Sequence, residues 1–141
     1  LIKRRSTNRE EVIMKYHFDG TPNIPFDAAV DRATEELKKE GFAIMTEIDV
    51  KEALRKKLDV DFRRCKILGA CNPGFAYKAL QVEDKIGVML PCNVIVQELA
   101  DGGVEVAAID PVASIQAIEN PELKGVAEQV REKPKKVIEG L

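Results

Sequence analysis

Three cysteines, Cys65, Cys71 and Cys92, are the side chains of this 141-residue sequence best suited to covalent or metal chemistry. All three fall between Arg64 and Val94, and the dipeptide Cys-Asn occurs twice there, at Cys71-Asn72 and Cys92-Asn93. Cys71 stands just before an Asn-Pro pair of the kind that opens a helix. A thiolate there faces unpaired N–H groups and the positive end of the helix dipole, and both favour the charged form. Cys92 follows Pro91, where a strand must bend or bulge because proline has no N–H to give to a ladder. If the two strands are neighbours, Cys71 and Cys92 approach each other. A dithiol pair, a metal site and two small packed side chains are then all open, since free cysteine is among the most buried residue types. Cys65, between Arg64 and Lys66 on a strand, is assigned no role.

A zinc site takes four N or S ligands, or three and a water. Cys71, Cys92 and His17, the sole histidine, supply three, but no Cys-x-x-Cys or His-x-x-x-His spacing joins them. A Ser-His-Asp or Cys-His arrangement would also have to run through His17. Asn72 and Asn93 can orient a ligand's carbonyl or amide, although Asn72 is also placed to cap a helix. The candidate binding set is therefore Cys71, Asn72, Cys92 and Asn93, with Thr46 and Glu47 at the end of a preceding strand. No cofactor and no reaction is identified.

The elements that must position these residues are readable from periodicity and from start and stop signals. Lys15–Phe18 reads as a short strand closed by a turn at Asp19-Gly20-Thr21-Pro22. Phe26, Ala29, Val30, Ala33 and Leu37 recur at helical spacing, with Pro25 and Asp27 at the start, Lys38 and Lys39 at the end and Gly41 beyond. Phe42–Ile48 is strand-like. Asp49 and Glu52 have capping-box spacing before a second helix expected to bury Ala53, Leu54 and Leu58. Arg64–Ala70 makes a third strand, and Asn72-Pro73 opens a helix with Phe75, Ala76, Ala79 and Leu80 on its apolar face. The same cap-proline device returns at Asp110-Pro111 and Asn120-Pro121, so Asp49, Pro73, Asp110 and Asn120 are read as structural. Ile86–Leu99 reads as a long strand interrupted at Pro91. Asp101-Gly102-Gly103 turns it into the return strand Val104–Ile109. A last amphipathic helix carries Leu123, Val126, Ala127, Val130, Val137 and Ile138, with Pro134 expected to kink or divide it.

The order β-α-β-α-β-α-β-β-α-α predicts an α+β domain, a mixed and largely antiparallel sheet with helices packed on it. A doubly wound α/β fold is the alternative, and the missing glycine fingerprint at the first strand–helix junction counts against it. The length suits one domain. The formal net charge of −2, with 22 Lys and Arg interspersed among 24 Asp and Glu, argues against a nucleic-acid partner. No apolar run approaches a membrane span, residues 1–14 lack the apolar centre of a signal peptide, and the odd cysteine count fits a reducing cytoplasm. Glu10-Glu11-Val12 before Met14 is what a purine-rich ribosome-binding site encodes when translated. Residues 1–13 are therefore expected to be an upstream extension that packs poorly, and residues 14–141 the domain.

Gly41-Phe42 through Thr46-Glu47-Ile48-Asp49-Val50, then Ile67-Leu68-Gly69-Ala70-Cys71-Asn72-Pro73, Leu90-Pro91-Cys92-Asn93-Val94 and Asp110-Pro111, together resemble the domain-of-unknown-function 302 family from about Met14 to the C-terminus. The resemblance marks Thr46, Glu47, Asp49, Cys71, Asn72, Pro73, Pro91, Cys92, Asn93 and Asp110 as motif positions. It implies a small bacterial or archaeal protein of TATA-box-binding-protein-like shape, without DNA binding, that forms a homodimer. It brings no catalytic assignment. The expected function is a cytoplasmic binding module holding a small polar molecule or anion at a helix N-terminus. The alternatives are a thiol redox or metal-binding protein using Cys71 and Cys92, and a structural or interaction protein.

Overall fold

The computed structural model describes residues 15–141. The expectation that residues 1–13 form an extension lies outside them. Strand β1 (His17–Gly20) is followed by α1 (Phe26–Lys39), β2 (Ala43–Asp49), α2 (Val50–Leu58), β3 (Cys65–Cys71) and α3 (Pro73–Val82). After a 3-10 turn (Ile86–Met89) come β4 (Cys92–Glu98), β5 (Val104–Ile109), the short α4 (Pro111–Ser114) and the long α5 (Pro121–Glu139). The order of strands and helices is the one the sequence predicts. The α+β domain with a largely antiparallel sheet that the sequence predicts is observed: the sheet has five strands in the order β1-β5-β4-β3-β2, and every pairing in it is antiparallel.

Cross-strand register sorts the side chains. Paired residues point to the same side, and successive residues alternate. One side carries the row Leu68, Val94, Ala108 and, one step on, Val96 and Val106, all buried beneath α1 and α5. Phe26, Ala29, Val30, Ala33 and Leu37 of α1 and Val130 and Val137 of α5 complete this cluster. Each large aliphatic side chain buried there contributes about 1.5–3 kcal/mol of transfer free energy. A second cluster, Ala79, Ile86, Ile115, Leu123 and Ala127, joins α3, the 3-10 turn and the first turns of α5.

The other side of the sheet carries the row Ile48, Ile67, Ile95, Ala107 and Asp19, and next to it Thr46, Gly69 and Asn93. Ile48 and Asn93 are exposed here, and Ile67, Ile95 and Ala107 only half-buried. Gly69 is required by a close approach. A Cβ there would collide with the Thr46 hydroxyl and come within 2.9 Å of Pro91 Cγ.

Four expectations are corrected. Strand β1 extends through Asp19 and Gly20, because their register partners Ala107 and Val106 continue β5 alongside them. Helix α2 buries none of its residues, and Leu58 is 65% exposed; the helix lies mainly against β2 and β3. Ile86–Leu99 is not one strand: its first part is a 3-10 turn that buries Ile86 in the second cluster, and β4 begins only after Pro91. Finally, α5 runs through Pro134 undivided. Pro134 is itself one of the buried residues of α5 and borders, with Leu37, Val94 and Ala108, a small void under the helix.

Candidate functional site: an apolar pocket with a thiol mouth

The caps place the site. Asp49 Oδ1 accepts from Glu52 N at 3.0 Å, as its spacing predicts, and Asp110 Oδ1 accepts from Val112 N at 3.0 Å. Asp110 is 3% exposed, and its other oxygen pairs with Arg131 Nη2 at 3.0 Å, pinning the β5–α4 junction to α5. Asn120 Oδ1 accepts from Glu122 N and Leu123 N, while its Nδ2 donates to Val82 O at 2.7 Å and to Glu83 Oε1 at 3.0 Å. One side chain thus starts α5 and ties it to the end of α3.

Asn72 behaves differently. It occupies the N-cap position before Pro73, but its side chain makes no capping bond. Its Nδ2 donates instead to Glu40 O at 3.1 Å, across the carbonyl end of α1. The cap role expected of its side chain is corrected. The neighbouring Gly41 has φ +87°, and a Cβ there would meet the Asn72 amide at 3.2 Å, so the turn out of α1 and the turn into α3 are packed together.

Between the two apolar clusters lies a cavity of ≈ 70 Å³ that opens through a wide mouth, for ≈ 600 Å³ when the open space is included. Its walls are apolar side chains of both clusters, among them Phe42, Phe75, Ile86, Ile115 and Val130. Cys71, Asn72, Ser114 and Cys92 supply the polar atoms. Ala70 is the register partner of Cys92, and Cys71, the next residue along β3 and its last, lines the same pocket. Burial pushes the Cys92 thiol up to about 11, helped by the nearby charge of Cys71, so at neutral pH it is a protonated, poorly nucleophilic group. Burial also pushes the Cys65 thiol up, and Cys65 lies at the far end of β3.

The structure therefore brings Cys71, Asn72 and Cys92 together and leaves the other candidates elsewhere. Asn93 is turned to the open side of the sheet, where it borders a hollow with His17, Ile95 and Gln97. Thr46 is on that side too, against Gly69. Glu47 pairs with Lys66 at 3.0 Å and raises the Lys66 pKa through that hydrogen bond. His17 does not join the two cysteines. Its Nδ1 lies 2.8 Å from Asp19 Oδ2, off the hydrogen-bond direction, and among the described residues no group of three His, Cys, Asp or Glu side chains is placed to hold a metal. The zinc arrangement considered from the sequence is not assembled. What sequence reasoning missed is the far wall of the pocket. Ile86, Ile115, Leu123 and Val130 read as ordinary core, and nothing in their spacing signals that a cavity would be left between them.

Comparison with known proteins places these features in a family. Residues 20–141 match the family described as "Domain of unknown function DUF302". The chain is also similar to the crystal structure of an uncharacterized conserved DUF302 protein from Bacillus stearothermophilus, at 25% identity and a TM-score of 0.83, over 89% of this chain and 98% of that one. No curated protein matches. Among the described residues no helix is long and apolar enough to cross a membrane.

Proposed function

Since the chain belongs to the DUF302 family, whose description names no activity, we propose from its own geometry that it is a small-ligand binding module whose site is the Cys71–Cys92 pocket. One observation carries this reading: a cavity between two packed clusters, lined mainly by apolar side chains with a few polar groups among them. Protein interiors close such gaps to the density of organic crystals, and binding sites are where they stay open. The lining favours an apolar ligand over the anion expected from the helix N-terminus. The enclosed ≈ 70 Å³ is less than the roughly 150 Å³ that holds a benzene, so one end of a short apolar chain or ring enters while a polar group stays at the mouth near Asn72 and Ser114. A thiol redox role is disfavoured by the protonated Cys92 thiol.

The test is titration with a series of straight-chain alcohols, followed by the methyl resonances of Ile86, Ile115 and Val130. Saturable shifts confined to these methyls, and lost on Ala76→Phe, which fills the mouth, are expected. Absence of saturation across the series overturns the proposal.

A homodimer is the second part of the reading. The Ile48, Ile67, Ile95, Ala107 row is only partly covered, and α2, which buries none of its residues, begins two residues after Ile48. A nine-residue amphipathic helix is marginal by itself, so its apolar stripe needs a partner. Five strands spaced about 4.8 Å apart span roughly 19 Å from first to last, a face wide enough to seat a second copy of the sheet. Sedimentation of the protein and of Ile95→Glu is the check: dimer for the first and folded monomer for the second are expected.

A further inference from the structure

The open side of the sheet is uneven, and its two flanks differ within the same rows. Strand β4 is the middle strand, with β3 and β2 on one flank and β5 and β1 on the other. In the row through Ile95 the β3 flank carries Ile67 and then Ile48, while the β5 flank carries Ala107. Ala107 is the small apolar residue of that row, and with Ile95, Ile109, Tyr16 and His17 it lines a hollow of ≈ 240 Å³ open to solvent. The next row differs in charge. From the β3 flank Arg63 Nε and Nη2 donate to Gln97 Oε1 at 3.1 and 2.9 Å. From the β5 flank Glu105 Oε1 accepts from Gln97 Nε2 at 2.9 Å.

We propose that this side joins two copies of the chain about a two-fold axis running along β4, so that Ile67 of each copy enters the Ala107 hollow of the other. The inference rests on the homodimer reading above and specifies how the copies meet. An axis along β4, in the plane of contact, exchanges the flanks and keeps the rows. Strand β3 then lies over the partner's β5, which sets Ile67, the larger side chain, against the partner's Ala107, the smaller. In the next row it turns the Arg63 guanidinium toward the partner's Glu105, and opposite charges favour this register. An axis across the strands would instead put each strand over its own copy. Ala107 would face Ala107, and two hollows would meet unfilled, against the close packing of interface cores. The axis along β4 also keeps the strands of the two sheets nearly aligned, the usual way in which sheets pack face to face. Sheet twist carries the outer strands apart, so Ile48 and Asp19 stay at the wet rim.

The experiment is a size swap followed by sedimentation of the full chain, with circular dichroism to show that each variant is folded. Positions 67 and 107 are half-buried and belong to neither core cluster, so their variants are expected to fold. Ile67→Ala leaves the hollow empty and Ala107→Ile overfills it, and each is expected to weaken the dimer roughly tenfold or more. The double variant carries the same bulk on the opposite side of the axis. It is expected to dimerise close to the parent's affinity and far better than either single change. A parent that sediments as a monomer overturns the homodimer reading and this inference with it. A parent dimer that Ile95→Glu leaves intact removes this face as the interface, and the inference again falls. A dimer that Ile95→Glu disrupts, but in which the two single effects simply add, overturns the axis along β4 alone. So does an Ala107→Ile dimer tighter than the parent's, which is the result an axis across the strands gives.

Discussion

The Asn72 amide donates to the Glu40 carbonyl across 32 residues of sequence, closing the carbonyl end of α1 with a side chain that stands at the entrance of α3. This bond holds Phe42 and Cys71, which flank the pocket from two different strand ends, in one fixed arrangement. Asn72 is also half-buried, so the loss of its donor leaves a carbonyl without a partner.

Asn72→Asp is therefore expected to destabilise the fold more than Asn72→Ser. Aspartate keeps the shape and the capping potential but places a negative oxygen where a donor is required, against a carbonyl. The expected cost is about 1–3 kcal/mol, the usual penalty for an unsatisfied buried polar group. Urea unfolding of both variants measures it. An Asp variant as stable as the parent would show that the Glu40 bond carries no stability.

Gly69 is the second point where two segments touch, since Thr46 and Pro91 both lie over its Cα. Gly69→Ala is expected to destabilise by about 1–3 kcal/mol through overpacking. Thr46→Ala removes one of the two obstructing groups, so the double variant should recover part of the loss and give a coupling of about 0.5 kcal/mol or more. Strict additivity in a thermal or urea double-mutant cycle would mean that the hydroxyl is not what Gly69 makes room for.

Cys92 sets a dependence on alkaline pH. Its thiol rises from an ordinary 9.0 to about 11 in the fold, with burial as the main cause and the Cys71 charge second. A raised acid favours the folded state while it is neutral. Its contribution is complete below pH 9 and is lost as pH climbs toward 11, because the unfolded chain ionises first. Two pKa units correspond to about 3 kcal/mol. Urea unfolding between pH 8 and 11 should show a steeper fall for the parent than for Cys92→Ala. Parallel profiles for the two proteins would refute the burial of this thiol.

Much of the fold was legible in local signals. Asn72-Pro73, Asp110-Pro111 and Asn120-Pro121 each open a helix as read, because an N-cap side chain or position followed by proline satisfies requirements confined to one turn. Asp49 caps α2 for the same reason. The Ile86–Leu99 run was misread because an apolar stretch looks the same whether it pairs in a sheet or folds into a turn against a helix.

The candidate site was half legible. Cys71 and Cys92 were identified from residue type and from their Asn-Pro and Pro neighbours, and both do line one pocket. Asn93 was grouped with them by the repeated Cys-Asn dipeptide, yet strand alternation sends it to the opposite side from Cys92.

What the sequence determined alone is the succession of elements, their starts and stops, and which residue types could bear chemistry, all of which depend on contacts within a few residues. Only the tertiary structure decided that β3 and β4 are neighbours, that Asn72 serves α1 instead of α3, and that a cavity remains between the clusters of Phe42 and Ile115. Those are properties of register and of packing between distant segments, and no local periodicity encodes how closely two apolar surfaces will meet.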